Sequence, residues 1–498
     1  MSNYNNFPIL SAEEAALFIK DKFTVGFSAF TAAGSAKAVP TAIAKQAKAL
    51  HTNGNEYKIN VVSGASNCES LDGVLAEADA VNYRHGYQSS KFMRAKINEE
   101  KINFVDIHLS QLPRIVSRGG LGKINVAVIE ATEITSDGKV YLSTSIGISP
   151  TLLRVADKVI IELNQYHSKR LSEMTDIVEL KNPPMQDLFS ILTPLDKVGK
   201  PYAEVDPKKI LGIVNTNLPD EVPDFSASNE LSQAISNNVV NFLLNEISSG
   251  KLPKSFLPIQ SGVGNIGNAV MNGLGSHPDL PPFMMYTEVL QDSLVKLMED
   301  EKLIGASTCA LTITPKSLEK IYSNMDYFAK KIVLRPQSIS NSPIFASKLG
   351  VIAINTALEA DIYGNINSTH VLGTKMMNGI GGSADFARNA YLSIFVCPAI
   401  AKQGKISAIV PMCTHVDSSE HSVDIIITDR GVADLRAKSP KDRAMEIIKN
   451  CVHPAYKNYL MNYFNALPAN HIRHDLAKCF ELHQNLIKHG SMLPELNI

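Results

Sequence analysis

Ile124-Asn125-Val126-Ala127-Val128-Ile129 is a short apolar run dominated by β-branched residues, a composition that suits a packed strand better than a helix. Working outward, similar runs recur at 59–62, 159–161, 210–214, 351–354, 406–410 and 423–427, with helix-like segments between them. That alternation predicts an α/β fold. After the run at 210–214 comes Asn215-Thr216-Asn217-Leu218-Pro219-Asp220-Glu221-Val222-Pro223-Asp224, where two prolines and several turn formers interrupt any regular pattern. It reads as an interdomain linker, the other reading being a surface loop inside one domain. At 498 residues the chain exceeds one ordinary core, so two large domains are expected, 1–217 and 218–498. A shift of 226 residues pairs Glu133 with Glu359, Gly138 with Gly364, Val140 with Ile366 and Gly147 with Gly373. The shared pattern of strand, glycine turn and strand suggests related halves; two unrelated α/β domains are the alternative.

Composition narrows the function. Hydrophobic residues are 45% of the chain and charged residues 19%, enough apolar material for substantial cores. Lys and Arg total 48 against 49 Asp and Glu, so the overall balance favours neither a nucleic acid nor an anionic membrane surface. No apolar run reaches the roughly 18 to 20 residues that span a bilayer. The first residues resemble neither an export signal nor an organelle presequence, and a cytoplasmic location is expected. Six scattered cysteines without a C-x-x-C pair fit reduced thiols.

Three segments could carry chemistry. Gln260-Ser261-Gly262-Val263-Gly264-Asn265-Ile266-Gly267 leads into a helix, and its glycines would let a ligand approach backbone N–H groups. It also satisfies G-x-G-x-x-G, with Glu288 about 21 residues beyond Gly267, so a dinucleotide-binding dehydrogenase competes. Pro258 argues against the central strand such a motif needs. In Tyr286-Thr287-Glu288-Val289-Leu290-Gln291-Asp292, Glu288 follows an apolar stretch at a strand end. A carboxylate so placed can be a nucleophile if shielded from water; otherwise it is a solvated glutamate at a helix start. Met377-Asn378-Gly379-Ile380-Gly381-Gly382-Ser383-Ala384-Asp385 opens another helix with a glycine cluster, whose N–H groups could converge on an oxyanion. The alternative is a tight turn with Asp385 as helix cap.

These segments, in this order, resemble the acetyl-CoA hydrolase/transferase family over nearly the whole chain. Further matching stretches are Phe30-Thr31 with Lys37-Ala38-Val39-Pro40, Phe104-Val105-Asp106-Ile107-His108-Leu109-Ser110, Leu334-Arg335-Pro336-Gln337 through Asn341, and His415-Val416-Asp417 with Glu420-His421. The resemblance implies two tandem, related CoA-transferase-type α/β domains, commonly in a homodimer. It implies Glu288 as the catalytic glutamate and Gly382 as an oxyanion-hole amide. By the same carry-over Gln260, Ser261, Gly262, Val263, Gly264 and Asn265 line the thioester site, Asn341 and Asn378 help orient it, Leu358 adds apolar wall and Lys402 contacts coenzyme A. An acyl-CoA and a small carboxylate are the implied substrates, with no cofactor beyond coenzyme A. An acyl-CoA hydrolase and a noncatalytic CoA-binding protein are the further alternatives.

The chain departs from the family pattern at Ala384, Glu221 and Asp429, where the relatives carry glycine, arginine and glutamate, and these departures bear on which acceptor is used. His415, Glu420, His421, Cys413, Cys451 and His453 form neither H-E-x-x-H nor a paired-cysteine site, so no metal is expected.

Overall fold

The β-branched run that begins at Ile124 becomes strand Val126–Ile134 in the computed structural model, which describes residues 7–184, 189–223 and 229–495. Its side chains are buried along almost the whole length, as expected for a parallel sheet covered on both faces. The runs at 59–62, 159–161, 210–214, 351–354 and 423–427 likewise fall in strands Ile59–Val62, Lys158–Asn164, Ile210–Thr216, Ile352–Thr356 and Ile425–Thr428. The run at 406–410 differs, forming two short strands, Ile406–Ser407 and Ile409–Val410. There the Ser407 hydroxyl donates to the Ile409 carbonyl at 2.7 Å, folding the chain locally so that one continuous strand does not form.

The described residues pack as two compact units, each discontinuous in sequence. The first is drawn from 1–224, 284–349 and 378–385, the second from 225–283, 350–377 and 386–498. Within the first, strands Thr24–Phe27, Val126–Ile134, Lys158–Asn164 and Ile210–Thr216 lie side by side in that order, all parallel. Within the second, Ile259–Ser261, Ile352–Thr356, Leu392–Val396 and Ile425–Thr428 repeat the arrangement.

The glycine-turn repeat is structural as well. Val126–Ile134 turns through Gly138 (φ 87°) into antiparallel Lys139–Leu142, and Glu359–Asp361 turns through Gly364 (φ 95°) into antiparallel Ile366–Asn367. A left-handed backbone at both positions is what glycine permits and a side chain resists. The chain is thus built from two related α/β domains.

Asn215 and Thr216, the first residues of the expected linker, still belong to a strand, while Asp224 lies outside the described residues. Asp220, inside that linker, is buried. Its carboxylate lies 3.2 Å from the Lys37 ammonium, which also meets Glu130 at 2.7 Å. His167 Nε2 faces both acids, at 3.4 Å from Glu130 and 3.6 Å from Asp220. Burial works against the His167 charge, but the two carboxylates outweigh it and raise the imidazole above its usual range. The same two cations hold Asp220 below its usual value despite burial. Beside them Glu162 accepts the N–H groups of Lys37, Ala38 and Val39 at 2.7 to 3.2 Å and so caps helix Ala38–Thr52.

Candidate active site

Parallel α/β sheets place ligands beyond the carboxyl ends of their strands, and Glu288 follows the strand Phe283–Tyr286 in this way. In the first unit, Glu288 occupies the bend between Phe283–Tyr286 and Val289–Leu290. Its carbonyl accepts from Cys309 N at 2.8 Å, Ala310 N at 3.2 Å and Thr308 Oγ1 at 2.9 Å, which fixes the main chain. The side-chain Oε1 accepts from Asn341 Nδ2. Asn341 follows the short helix Gln337–Ser340 and is 1% exposed. The Ser340 hydroxyl donates to Asn341 Oδ1 at 2.9 Å, which turns the amide nitrogen toward Glu288.

Gly382 closes the other side. A Cβ built there would lie 2.6 Å from Glu288 Cδ, nearer than carbon atoms pack, so backbone passes directly against the carboxyl and only glycine fits. Burial pushes the Glu288 carboxyl up to about 7; the Asn341 hydrogen bond pulls it back in part, and the Asp385 charge adds to the rise. A carboxylate stripped of water beside backbone amides can attack an electrophilic carbonyl and have the resulting oxyanion stabilised where it forms. Asn378, at the start of the same turn, accepts from Gly379 N through its own Oδ1 at 2.9 Å and hydrogen-bonds Tyr87.

The structure gives Asp385 and the stretch 104–110 partners that the sequence did not assign. Asp385, expected as a helix cap, lies inside helix Ser383–Ala387, and its two oxygens accept from Ser110 N at 2.8 Å and Ser110 Oγ at 2.6 Å. Burial raises its carboxyl to about 6, against the pull of those hydrogen bonds. Asp106 accepts Ile380 N on both oxygens, at 2.9 and 3.1 Å. The stretch 104–110, which matches the family pattern, thus meets the glycine turn through Asp106 and Ser110.

In the second unit, strand Ile259–Ser261 leads through Gly264 (φ 119°) into helix Asn265–Ser276. The Gln260 and Asn355 carboxamides pair, at 3.1 and 3.2 Å, across adjacent parallel strands. Gly262 N donates to Ile354 O at 2.9 Å, and Ser261 is buried while Val263 is 38% exposed. Leu358, 40% exposed, follows the carboxyl end of Ile352–Thr356. Lys402 lies exposed in the turn between Ile400–Ala401 and Ile406–Ser407, beyond the end of Leu392–Val396. Gln260 to Asn265, Leu358 and Lys402 therefore lie at or beyond the ends of three neighbouring strands.

Of the positions that depart from the family pattern, Ala384 lies in helix Ser383–Ala387. Glu221 accepts from Ser70 N at 3.0 Å and from its hydroxyl. Asp429 accepts Ala399 N at 2.6 Å and pairs with Arg430 at 2.9 Å. Cys413 and Cys451 are buried and donate to the carbonyls of Asn365 and Ile426 at 3.2 and 3.4 Å. His415 contacts Asp417 at 3.2 Å. Among the described residues the one His/acid group with ligand-like spacing is Glu130, His167 and Asp220, and there the Lys37 ammonium already supplies a cation.

Comparison with known proteins identifies the family. The acetyl-CoA hydrolase/transferase N-terminal domain matches residues 2–215 and the corresponding C-terminal domain matches 318–464. The chain is 55% identical to the propanoyl-CoA:succinate CoA transferase of Escherichia coli K12, over 97% of this chain and 98% of that one. It is 45% identical to the succinyl-CoA:acetate CoA-transferase of Clostridium kluyveri, over 97% of this chain and 90% of the relative. In fold it resembles a 4-hydroxybutyrate CoA-transferase from Porphyromonas gingivalis, with TM-score 0.63 and 18% identity over 93% of this chain and 98% of that one. The protein is an enzyme, and it belongs to the acetyl-CoA hydrolase/transferase family.

Proposed function

We propose that this enzyme moves coenzyme A from an acyl-CoA to a small carboxylate of the acetate or succinate type through a glutamyl-CoA thioester on Glu288. The observation that carries the reading is the Glu288 carboxyl, desolvated between the Asn341 amide and the Gly382 backbone. The names of the two relatives supply the substrate class. In the first step a Glu288 oxygen attacks the thioester carbonyl, the C–S bond breaks, and an acyl-glutamyl anhydride and CoA thiolate result. The thiolate then attacks the glutamyl carbonyl, releasing the first carboxylate and leaving the glutamyl-CoA thioester. An incoming carboxylate attacks that thioester, freeing thiolate and forming a new anhydride. Attack of the thiolate on the new acyl carbon yields the product acyl-CoA and returns Glu288 as carboxylate.

In this scheme the Gly382 amide receives the charge of each tetrahedral intermediate. Gln260, Ser261, Gly262, Val263, Gly264 and Asn265 line the thioester, with Leu358 as apolar wall. Asn341 and Asn378 orient it and Lys402 meets the body of coenzyme A, whose remote binding drives the reacting centre together. A cytoplasmic homodimer using no cofactor beyond coenzyme A, with tandem halves dividing between 217 and 218, completes the proposal. The test supplies acyl-CoA without acceptor and then borohydride. Reduction of a thioester, located at Glu288 by peptide mass spectrometry, with inactivation and ping-pong kinetics, is the expected result. Intersecting kinetic lines with no adduct at Glu288 would overturn the covalent route.

A further inference from the structure

The loop after strand Asn103–Val105 meets the glycine turn at three successive points. Asp106 takes the Ile380 N–H on both oxygens, Leu109 N donates to Gly381 O at 3.3 Å, and Ser110 gives both its N–H and its hydroxyl to Asp385. These contacts bracket Gly382 on both sides in sequence. The loop is itself held from behind, because the buried Gln337 donates through Nε2 to Leu109 O at 2.7 Å and takes its own N–H to Gly147 O at 2.9 Å. Gln337 also starts the helix that Asn341 follows. The donor that meets Glu288 and the turn that presses on it are thus tied to one loop.

The hydrogen bonds also remove one amide of the turn from the chemistry. The Ile380 N–H is consumed by Asp106, and the Gly381 carbonyl is drawn toward Leu109. Gly381 adopts φ 58°, so the peptide that follows, bearing the Gly382 N–H, is set by a backbone that has little freedom once its two ends are fixed. Displacing a reacting group by about 1 Å can cost about 10²-fold in rate.

We propose that Asp106 and Ser110 are positioning residues for CoA transfer, forming a clamp that aims the Gly382 turn at the Glu288 carboxyl. The inference rests on the reading of Glu288 as the nucleophile. The clamp acts on the alignment of donor and carboxyl, not on the binding of coenzyme A, so its loss lowers turnover while leaving KM nearly unchanged.

The test compares Asp106→Ala, Asp106→Asn and Ser110→Ala with the intact enzyme, with rates counted per active site by the amount of borohydride-trapped thioester. Asp106→Ala and Ser110→Ala are each expected to lower kcat by about 10- to 10²-fold with KM for acyl-CoA within about twofold. Asp106→Asn keeps one side-chain oxygen to accept from Ile380 N, and should recover most of the turnover lost in Asp106→Ala. Folding is followed by thermal melting, and Ser110→Ala, which removes one hydroxyl, carries the test if Asp106→Ala does not fold. Unchanged kcat in Ser110→Ala and Asp106→Ala, with thioester still trapped at Glu288, overturns the clamp and leaves the nucleophile standing. Equal loss of kcat in Asp106→Ala and Asp106→Asn, or a loss seen wholly in KM, also overturns it. No thioester at Glu288 in the intact enzyme removes the underlying reading instead.

Discussion

Glu288→Gln should make the protein more stable at pH 8 while abolishing its transfer activity. Burial raises the carboxyl from the usual 4.5 to about 7, so the folded protein binds the proton more tightly than the unfolded chain. For an acid shifted upward the contribution to stability is fully present below about pH 4.5 and is lost as pH rises through about 7. At about 1.36 kcal/mol per pH unit, ionising Glu288 in the fold costs about 3 kcal/mol at pH 8 and under about 1 kcal/mol at pH 5. Glutamine escapes the cost because it is neutral and its Oε1 can still accept from Asn341. The chain has no tryptophan, so urea unfolding is best followed by far-ultraviolet circular dichroism at both pH values. The stability gain of the variant should grow by about 2 to 3 kcal/mol from pH 5 to pH 8. Parallel stability curves for the two proteins, or a variant less stable at pH 8, would refute the claim that this carboxyl is held in a desolvating site.

Gly382→Ala places a methyl where Glu288 Cδ lies 2.6 Å away, and is expected to lower kcat by at least about 10²-fold with a much smaller effect on CoA binding, measured by steady-state kinetics and calorimetry. Lys37→Met leaves Glu130 and Asp220 buried with one cation fewer and should cost about 3 to 5 kcal/mol of unfolding free energy in urea titrations. In the intact protein the contribution of the raised His167 is full below about pH 6.5 and disappears as pH climbs through its folded value.

The α/β architecture was legible because parallel strands buried on both faces must be apolar and β-branched almost without a break, as in Val126–Ile134. Shorter strands escaped notice: Asn103–Val105 carries a polar first residue and two exposed positions, so nothing in its composition marks it. Glu288 and Gly382 became candidates through resemblance, since a lone glutamate and a glycine cluster each have ordinary structural explanations. Asp385 looked like a helix cap because sequence spacing favours local partners, whereas its observed partner Ser110 is 275 residues away. Asp220 was read as linker for a similar reason. Its burial depends on Lys37 and His167, brought to it by the sheet and invisible in the spacing of the chain.

The two parallel cores can be aligned through equivalent hydrogen bonds, Ser28 N to Val128 O and Gly262 N to Ile354 O. Following the strand registers from there, Glu162 of the first core corresponds to Val396 of the second. Glu162 stoppers the start of helix Ala38–Thr52 with a carboxylate of the protein's own, whereas the matching strand position of the second core is Val396, which carries no charge. An outside anion would have to evict a built-in competitor at the first helix, and a valine cannot act as one at the matching position of the second core. One copy of the duplicated scaffold is thus plugged by the protein itself, and one equivalent of coenzyme A per chain is the expected result of a titration.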